Sequence, residues 1–316
     1  MLRRTIHAMG TRGELLLLPV VDGRTAERAL AGALAEIARI ERLASRFQPD
    51  SELSRLNAEG SLVVSPDLLR LIRLALALRS ITEGRFDPTV QPALVAAGYD
   101  RSFVDLPHNG PAAGDPVPAG GRVTIDPQTG EVTLAEGVGL DLGGIAKGWA
   151  AERAADLLAT TGPCLVNLGG DIAVRGLRDG RPWPVAVTRA DGPATLGLAG
   201  AGMATSGTER RQWRRAGRRM HHLIDPASGR PARSDLVRVS VVAADAAIAE
   251  AWAKALLLAG RERARREAEE HGFAAVLVGA DGRTADVGVT RWASSRSGGC
   301  WPEPRGWRPI WRSASP

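Results

Sequence analysis

The feature that most constrains the fold is a helix in the last quarter of the chain that is apolar on almost all sides. Residues 246–259, AAIAEAWAKALLLA, follow the apolar run VRVSVVAAD and precede Gly260, a residue type that closes many helices. A helix that is apolar all round has to be buried by other elements. We therefore predict a globular core around this helix and a buried strand that precedes it.

Two charged residues, Glu250 and Lys254, lie four positions apart on this helix. Side chains at that spacing share one face, so an ordinary ion pair is the simplest interpretation. Charges on a buried helix need either mutual pairing or a ligand. The same question arises at Lys147, because the 41 cationic residues comprise only these two lysines and 39 arginines. A lysine is a compact point charge that an arginine does not replace.

Lys147 lies in the stretch DLGGIAKG, where a predicted helix over residues 145–158 begins. Glycines let a ligand approach the backbone closely, and the free N–H groups of a helix N-terminus attract anions. The stretch lacks the spacing of a P-loop. It is compatible with a phosphate site and equally with a tight turn beside a surface lysine.

Two other stretches contain candidate site residues. In GRFDPTVQPAL, Phe86 and Pro88 restrict the direction of the Asp87 carboxylate, although a capped turn explains the same residues. In HHLIDP, His221 and His222 precede an apolar pair and an acid, where a histidine can carry a proton. Neighbours on an extended segment face opposite ways, so we expect at most one of the two to act in a site.

The remaining pattern mixes helices and strands without a regular βαβ alternation, which favours an α+β fold. Helices are predicted over residues 25–45, 65–84 and 261–272, a loop over 48–60, hairpins over 122–134 and 274–289, and a strand–turn–strand unit over 164–176. Residues 1–290 are predicted to form one domain. Residues 291–316 lose this periodicity and are predicted to be a mobile tail.

Charge and composition limit the classes of function. The formal net charge of +6 is compatible with nucleic acid or a phosphorylated ligand, but the body of the chain lacks an aromatic stripe on which bases could stack. We therefore predict no nucleic-acid partner. Cys164 and Cys300 match no metal-binding spacing. No window is long enough to span a membrane and no signal peptide is recognised, so a cytoplasmic location is expected.

Eight stretches occur in an order that resembles the ApbE family, the FAD:protein FMN transferases. They are AMGT, SRFQPDSELSRLN, GRFDPTVQPAL, LDLGGIAKGWAAERAADLL, LVNLGGDIAVRG, ATSGTERR, HHLIDPASGRP and VSVVAADAAIAEAWAKALLLAG. The resemblance implies a T-fold-like α+β architecture with FAD in a deep cleft. It implies an enzyme that moves the FMN half of FAD onto a serine or threonine of an acceptor flavoprotein and releases AMP. The alternative is a member that binds FAD, or hydrolyses it to FMN and AMP, without modifying a protein.

The resemblance also implies a set of site residues. Its motifs place His222 and Lys147 at catalytic positions, with His222 acting as a base or orienting the acceptor. The positions similar to FAD contacts are Met9, Phe47, Arg85, Phe86, Asp87, Asp141, Lys147, Ser206, Gly207 and Leu223. Gly144, Glu250 and Ala253 match the positions that hold a magnesium ion in the family.

Two positions depart from the family pattern. Phe47 stands where a tyrosine is frequent, and Lys254 stands where a threonine or serine ligates the metal. An ammonium group cannot ligate a cation. One hypothesis is that Lys254 occupies the place of the metal and, like Lys147, binds the pyrophosphate of FAD. The other is that Lys254 pairs with Glu250 and magnesium binds elsewhere.

Overall fold

An antiparallel sheet of eight strands forms the centre of the computed structural model, which describes residues 1–289. With strands numbered in chain order, the sheet runs from β1 (Leu2–Ala8) through β2 (Thr11–Leu17), β7 (Cys164–Leu168), β8 (Asp171–Arg175), β11 (Gly202–Gly207), β16 (Leu236–Ala243) and β17 (Ala274–Gly279) to β18 (Thr284–Val287). Neighbours in this order pair antiparallel throughout.

Four smaller sheets surround the large one. They comprise β3 (Ser61–Val63) with β5 (Val123–Ile125) and β6 (Glu131–Leu134); β4 (Asn109–Gly110) with β12 (Gln212–Arg215) and β13 (Arg218–His221); β9 (Trp183–Arg189) with β10 (Gly192–Leu198); and β14 (Ile224–Asp225) with β15 (Arg230–Pro231). The β9–β10 hairpin covers one face of the large sheet, because Trp183, Val185 and Val187 alternate inward along β9.

Helices cover the opposite face of the large sheet. The helices are α1 (Gly23–Ala44), α2 (Glu52–Glu59), α3 (Pro66–Ile81), α4 (Gln91–Ala96), α5 (Ala146–Ala159), α6 (Ala246–Ala259) and α7 (Arg261–Glu270). Of these, α1 and α5 pack over β2, β7 and β8, and α6 packs over β11 and β16. The described residues thus form helix, sheet and hairpin layers, which confirms the α+β class.

The apolar helix α6 is buried as its composition predicts. Asp245 caps it by accepting hydrogen bonds from the N–H groups of Ala247 at 2.7 Å and Ile248 at 3.2 Å. Trp252 is only 2% exposed, because the rings of His271 and Phe273 pack against it at 4.4 Å and 5.2 Å. Gly260 follows with a φ of 78°, a value that suits glycine.

One local prediction was wrong. Residues 48–60 were expected to form a loop, but they contain α2. Ser51 caps this helix by accepting a hydrogen bond from the N–H of Ser54 at 2.9 Å, and Leu53 and Leu56 are fully buried beneath it. A two-turn helix is too short to give a clear periodic signal.

Two further predictions concern the C-terminal tail and the absence of a membrane-spanning segment. The tail over residues 291–316 lies outside the described residues, so the domain boundary at residue 290 stays a prediction. Within residues 1–289, the helices are too short or too polar to cross a membrane.

A glycine sets the distance between α5 and α6. A Cβ atom added at Gly148 would lie 2.5 Å from the carbonyl oxygen of Ala246 and 2.7 Å from the Cα of Ala247. Both neighbours are backbone atoms that cannot rotate away. The close contact matters because Lys147, next to this glycine, is thereby held against α6.

We expect Gly148→Ala to lower the free energy of unfolding by about 1–3 kcal/mol, since the added methyl overpacks the helix contact. Denaturant unfolding monitored by circular dichroism measures this change. Gly32→Ala is the matched control, because Gly32 lies within α1 with no atom within 4 Å of an added Cβ. It should raise stability by roughly 0.5–1 kcal/mol, as alanine favours helix interiors. Equal effects of the two substitutions would contradict the steric argument.

Candidate active site

A cleft of about 420 Å³ opens beside the C-terminal end of α1 and the N-terminal end of α5. Its walls contain most of the residues predicted for the site, although these come from distant parts of the chain. The predicted residues that line it are Met9, Phe47, Arg85, Phe86, Asp87, Asp141, Gly144, Lys147, His222, Leu223 and Lys254.

The centre of the site is the carboxylate of Glu250, which is 1% exposed. It forms an ion pair with the ammonium of Lys147 on α5, and its other oxygen accepts a hydrogen bond from the N–H of Gly148 at 2.9 Å. Lys147 also lies 3.0 Å from Asp171 at the start of β8. The partners of Lys147 are thus Glu250 and Asp171, and the nearby Asp141 is not among them.

Lys254 completes this group from the next turn of α6. Its Nζ donates to the carbonyl oxygen of Gly144 at 3.0 Å and lies 3.3 Å from Glu250 Oε1. Gly144 and Glu250 are two of the three positions expected to hold magnesium, so the ammonium already engages the oxygens that a metal would need. The third, Ala253, is fully buried and has no side-chain oxygen. These residues do not fit a metal ion, and residues 1–289 contain no cluster of three potential metal ligands.

Burial and mutual charge determine the protonation of this group. Burial alone would raise the pKa of Glu250, but Lys147 and Lys254 outweigh it and keep that pKa below its usual value. Burial alone would lower the pKa of Lys147, but Asp171 and Glu250 outweigh it and raise that pKa. Burial lowers the pKa of Lys254, and burial with the nearby Glu250 raises the pKa of Asp171 to about 6.

His222 reaches the cleft directly after β13 ends, whereas the His221 side chain faces away from it. His221 Nε2 lies 3.2 Å from the carbonyl oxygen of Ala232, which fits the expected alternation. The Nδ1 atom of His222 is buried and has no hydrogen-bond partner within residues 1–289. Burial, helped by the positive charge of Arg211, holds the pKa of His222 well below 6.5. The imidazole is therefore neutral at pH 7 and able to accept a proton.

Aromatic residues line the mouth of the cleft. The rings of Phe47 and Tyr99 lie 5.6 Å apart, and the guanidinium of Arg46 lies 4.1 Å from the centre of the Phe47 ring. Arg46 in turn binds the Asp141 carboxylate at 2.5 Å. Tyr99, the only tyrosine of the chain, thus lies beside Phe47, the position where the family frequently has a tyrosine.

The charged side chains of the GRFD stretch are bound by other side chains and by the backbone. Asp87 accepts hydrogen bonds from Thr89 N–H at 2.8 Å and binds Arg79 Nε at 3.0 Å, so its carboxylate has partners, as the capped-turn interpretation predicts. Arg85 binds Glu267 at 2.8 Å. Phe86 is buried with 4% exposure and contributes to the wall of the cleft.

Ser206 and Gly207 do not line the cleft. Ser206 is buried within β11, where it faces Val239 of β16, and Gly207 lines a second cavity of about 290 Å³ on the hairpin side of the sheet. Successive residues of a strand point to opposite faces, so both could not reach the same ligand. In contrast, Met9 lines the cleft with a left-handed φ of 53° and donates its N–H to Glu41 at 2.7 Å.

Sequence reasoning missed Asp171 and Arg211. Asp171 is the only acid in the apolar stretch 164–174, and a buried acid requires a partner, which was a usable signal. Arg211 lines the cleft with a left-handed φ of 49° and forms no ion pair within residues 1–289. Nothing in its arginine-rich surroundings distinguished it. Arg211 therefore places a guanidinium without an acidic partner among the described residues at the cleft, an arrangement that favours a protein that binds an anionic ligand.

Comparison with known proteins identifies the family. The profile described as the ApbE family matches residues 9–277, and the chain belongs to this family. An FAD:protein FMN transferase of Klebsiella pneumoniae is 30% identical over 87% of this chain and 82% of its own length. The ApbE protein of Thermotoga maritima has a TM-score of 0.79 at 26% identity, over 92% of this chain and 98% of its own. The flavinyl transferase ApbE of Pseudomonas stutzeri has a TM-score of 0.77 at 26% identity, over 91% and 95%.

We expect Glu250→Gln to lower the free energy of unfolding by about 3–5 kcal/mol, because two buried ammonium groups lose their shared carboxylate. Chemical denaturation at pH 7 measures the loss. Adding Lys254→Met should recover part of it, since one uncompensated charge disappears while Asp171 still binds Lys147. Strictly additive effects of the two substitutions would show that Glu250 and Lys254 are not coupled.

Proposed function

We propose that this protein transfers the FMN half of FAD to a serine or threonine hydroxyl of another protein. The observation that carries the proposal is the cleft itself, in which Lys147, Lys254 and Arg211 present positive charge beside a neutral His222. Curated relatives that cover most of the chain carry the name FAD:protein FMN transferase. The acceptor is a flavoprotein with a short Ser/Thr-containing target sequence.

In the reaction, the hydroxyl oxygen of the acceptor attacks the phosphorus of the FMN half. The bond from that phosphorus to the bridging oxygen breaks, and AMP leaves with the bridging oxygen. Such a transfer depends on positioning and charge neutralisation more than on covalent help from the enzyme. Lys147 and Lys254 neutralise the pyrophosphate, and the neutral imidazole of His222, which lines the cleft, accepts the hydroxyl proton.

The charge on the pyrophosphate is neutralised by ammonium groups without a magnesium ion at the family position. Support comes from Lys254, whose Nζ binds the Gly144 carbonyl and the Glu250 carboxylate. A cation added there would be repelled by an ammonium already in contact with both oxygen groups. Lys254 is therefore part of the substrate-binding machinery.

Incubation with FAD and an acceptor peptide tests the proposed reaction. Covalent FMN on the peptide, read by mass spectrometry, is expected both with magnesium and with EDTA. Lys254→Thr should make transfer depend on magnesium, and magnesium should raise the thermal midpoint of this variant but not that of the wild type. Lys254→Met is the matched control, expected to lose transfer under both conditions.

Other outcomes of this experiment would contradict specific parts of the proposal. Wild-type transfer only with magnesium would refute the ammonium role and leave the transferase activity standing. Release of AMP and free FMN without peptide modification would instead establish hydrolysis as the reaction. FAD binding with no turnover would point to a binding protein.

The neutral imidazole predicts a pH profile. Burial holds the pKa of His222 well below 6.5, so the imidazole stays neutral between pH 8 and 7, and Asp171, with a pKa of about 6, stays mostly ionised over the same range. We expect kcat/KM for FAD to stay level over that range and to fall only at lower pH, where the base becomes protonated. An acid limb centred above pH 6.5 would rule out His222 as a base with the lowered pKa described above.

A further inference from the structure

The excess of cationic over acidic residues in this chain equals the number of arginines in one short segment. Residues 210–219, RRQWRRAGRR, contain six arginines and no acid, and the whole chain has a formal net charge of +6. Outside this segment the cationic residues therefore equal the 35 acidic ones in number. Such a local excess is a feature of an interaction surface for an anionic partner.

This segment folds into an arrangement that opposes like charges. Here β12 and β13 form an antiparallel hairpin, which we name the arginine hairpin (residues 212–221). Its register places Arg214 opposite Arg219 and Arg215 opposite Arg218. Directly opposed like charges destabilise a strand pair. Each of these two pairs is unfavourable in the free protein and becomes favourable when an anionic group lies beside it. The two pairs face opposite sides of the hairpin.

No acid of the described residues forms an ion pair with the arginines of this hairpin. Arg214, Arg218 and Arg219 are exposed and form no ion pair within residues 1–289. Glu209, the acid that precedes the segment, binds Arg238 at 2.5 Å instead. The helix α7 provides the contrast, since its arginines Arg263, Arg265 and Arg266 each pair with a glutamate four residues later.

The arginine hairpin is attached to the rim of the cleft. Arg211 immediately precedes it and His222 immediately follows it, and both line the cleft. At about 3.3 Å per residue, the tip of the hairpin lies roughly 13 Å from those residues. Trp213 anchors the inner face, because it is buried and donates its indole N–H to the Ala97 carbonyl at 2.9 Å. The exposed arginines are therefore presented on a fixed surface beside the site of transfer.

We propose that the arginine hairpin binds an acidic segment of the acceptor protein, adjacent to the hydroxyl that receives FMN. This inference rests on the proposed function, because the partner is taken to be the protein acceptor. The distance of roughly 13 Å corresponds to about four extended residues, so the acids would lie within about four residues of the target hydroxyl. A nucleic acid fits less well, since the hairpin's one aromatic ring, Trp213, is buried and offers no surface for base stacking.

Peptide binding tests the proposal without requiring turnover. Two labelled peptides share the same Ser/Thr target and differ only in the four flanking residues, which are either aspartates or glutamines. Fluorescence anisotropy at low salt should show about tenfold tighter binding of the acidic peptide to the wild type, and 0.5 M salt should remove most of that preference. A single-stranded oligonucleotide of equal net charge serves as a third probe.

Variants assign the preference to the hairpin. Arg214→Gln/Arg218→Gln/Arg219→Gln should bind both peptides equally, while its KM for FAD stays unchanged. Its thermal midpoint should not fall, because the substitutions remove like-charge repulsion. The matched control is Arg24→Gln/Arg28→Gln/Arg73→Gln, which removes three exposed arginines of α1 and α3 that also lack ion pairs within the described residues. This control should keep the tenfold preference.

Three outcomes of these experiments would overturn the proposal. A triple hairpin variant that keeps the preference for the acidic peptide would show that other residues bind it. Equal binding of both peptides to the wild type would mean that the arginines only protect the exposed edge of β13 from pairing. Loss of oligonucleotide binding in the hairpin variant, without any peptide preference in the wild type, would identify a nucleic-acid surface. Failure of FMN transfer alone would refute the proposed function but would leave the binding result interpretable.

Discussion

The carboxylate of Glu250 binds Lys147, Lys254 and the N–H of Gly148, so one buried side chain joins the start of α5 to the middle of α6. Each of these partners is itself buried or half-buried. A lone ammonium would be costly in such surroundings, and so would a lone carboxylate. The mutual contacts make the group stable while leaving the two ammonium groups at the floor of the cleft, where an anion can reach them.

The packing of the helices on the sheet makes this contact possible. Since Gly148 has no side chain, the backbone of α5 approaches that of Ala246 closely enough for the Lys147 side chain to meet α6. The sheet then adds Asp171 from the turn between β7 and β8. A buried charge on α5, α6 or β8 would be unfavourable alone, but the charged groups of these three elements compensate one another. The arginines of the arginine hairpin differ in this respect, because they form no ion pair with an acid among the described residues.

Lys254 occupies the oxygen atoms that a metal ion between α5 and α6 would need. A ligand side chain at this position would leave the Gly144 carbonyl and the Glu250 carboxylate available to a metal. The ammonium instead donates to both, and it carries the positive charge on the protein itself.

The sequence by itself determined the local elements and the family. Apolar patterning located α1, α3 and α6, and most of the site residues that the ordered motifs imply line the cleft. The short helix α2 was not predicted, because two turns give little periodic signal. All of these properties depend on residues close together in the chain.

Only the tertiary structure decided which charges meet. Asp141 lies in the same short stretch as Lys147, yet it binds Arg46, and the acidic partners of Lys147 are Asp171 and Glu250. Glu250 lies 103 positions from Lys147, and no local pattern reports on such a contact. Strand alternation likewise directed Gly207 away from the cleft. Which charged residues pair across long sequence distances depends on how the helices pack on the sheet. Between α5 and α6, the short backbone distance that Gly148 permits determines which side chains meet.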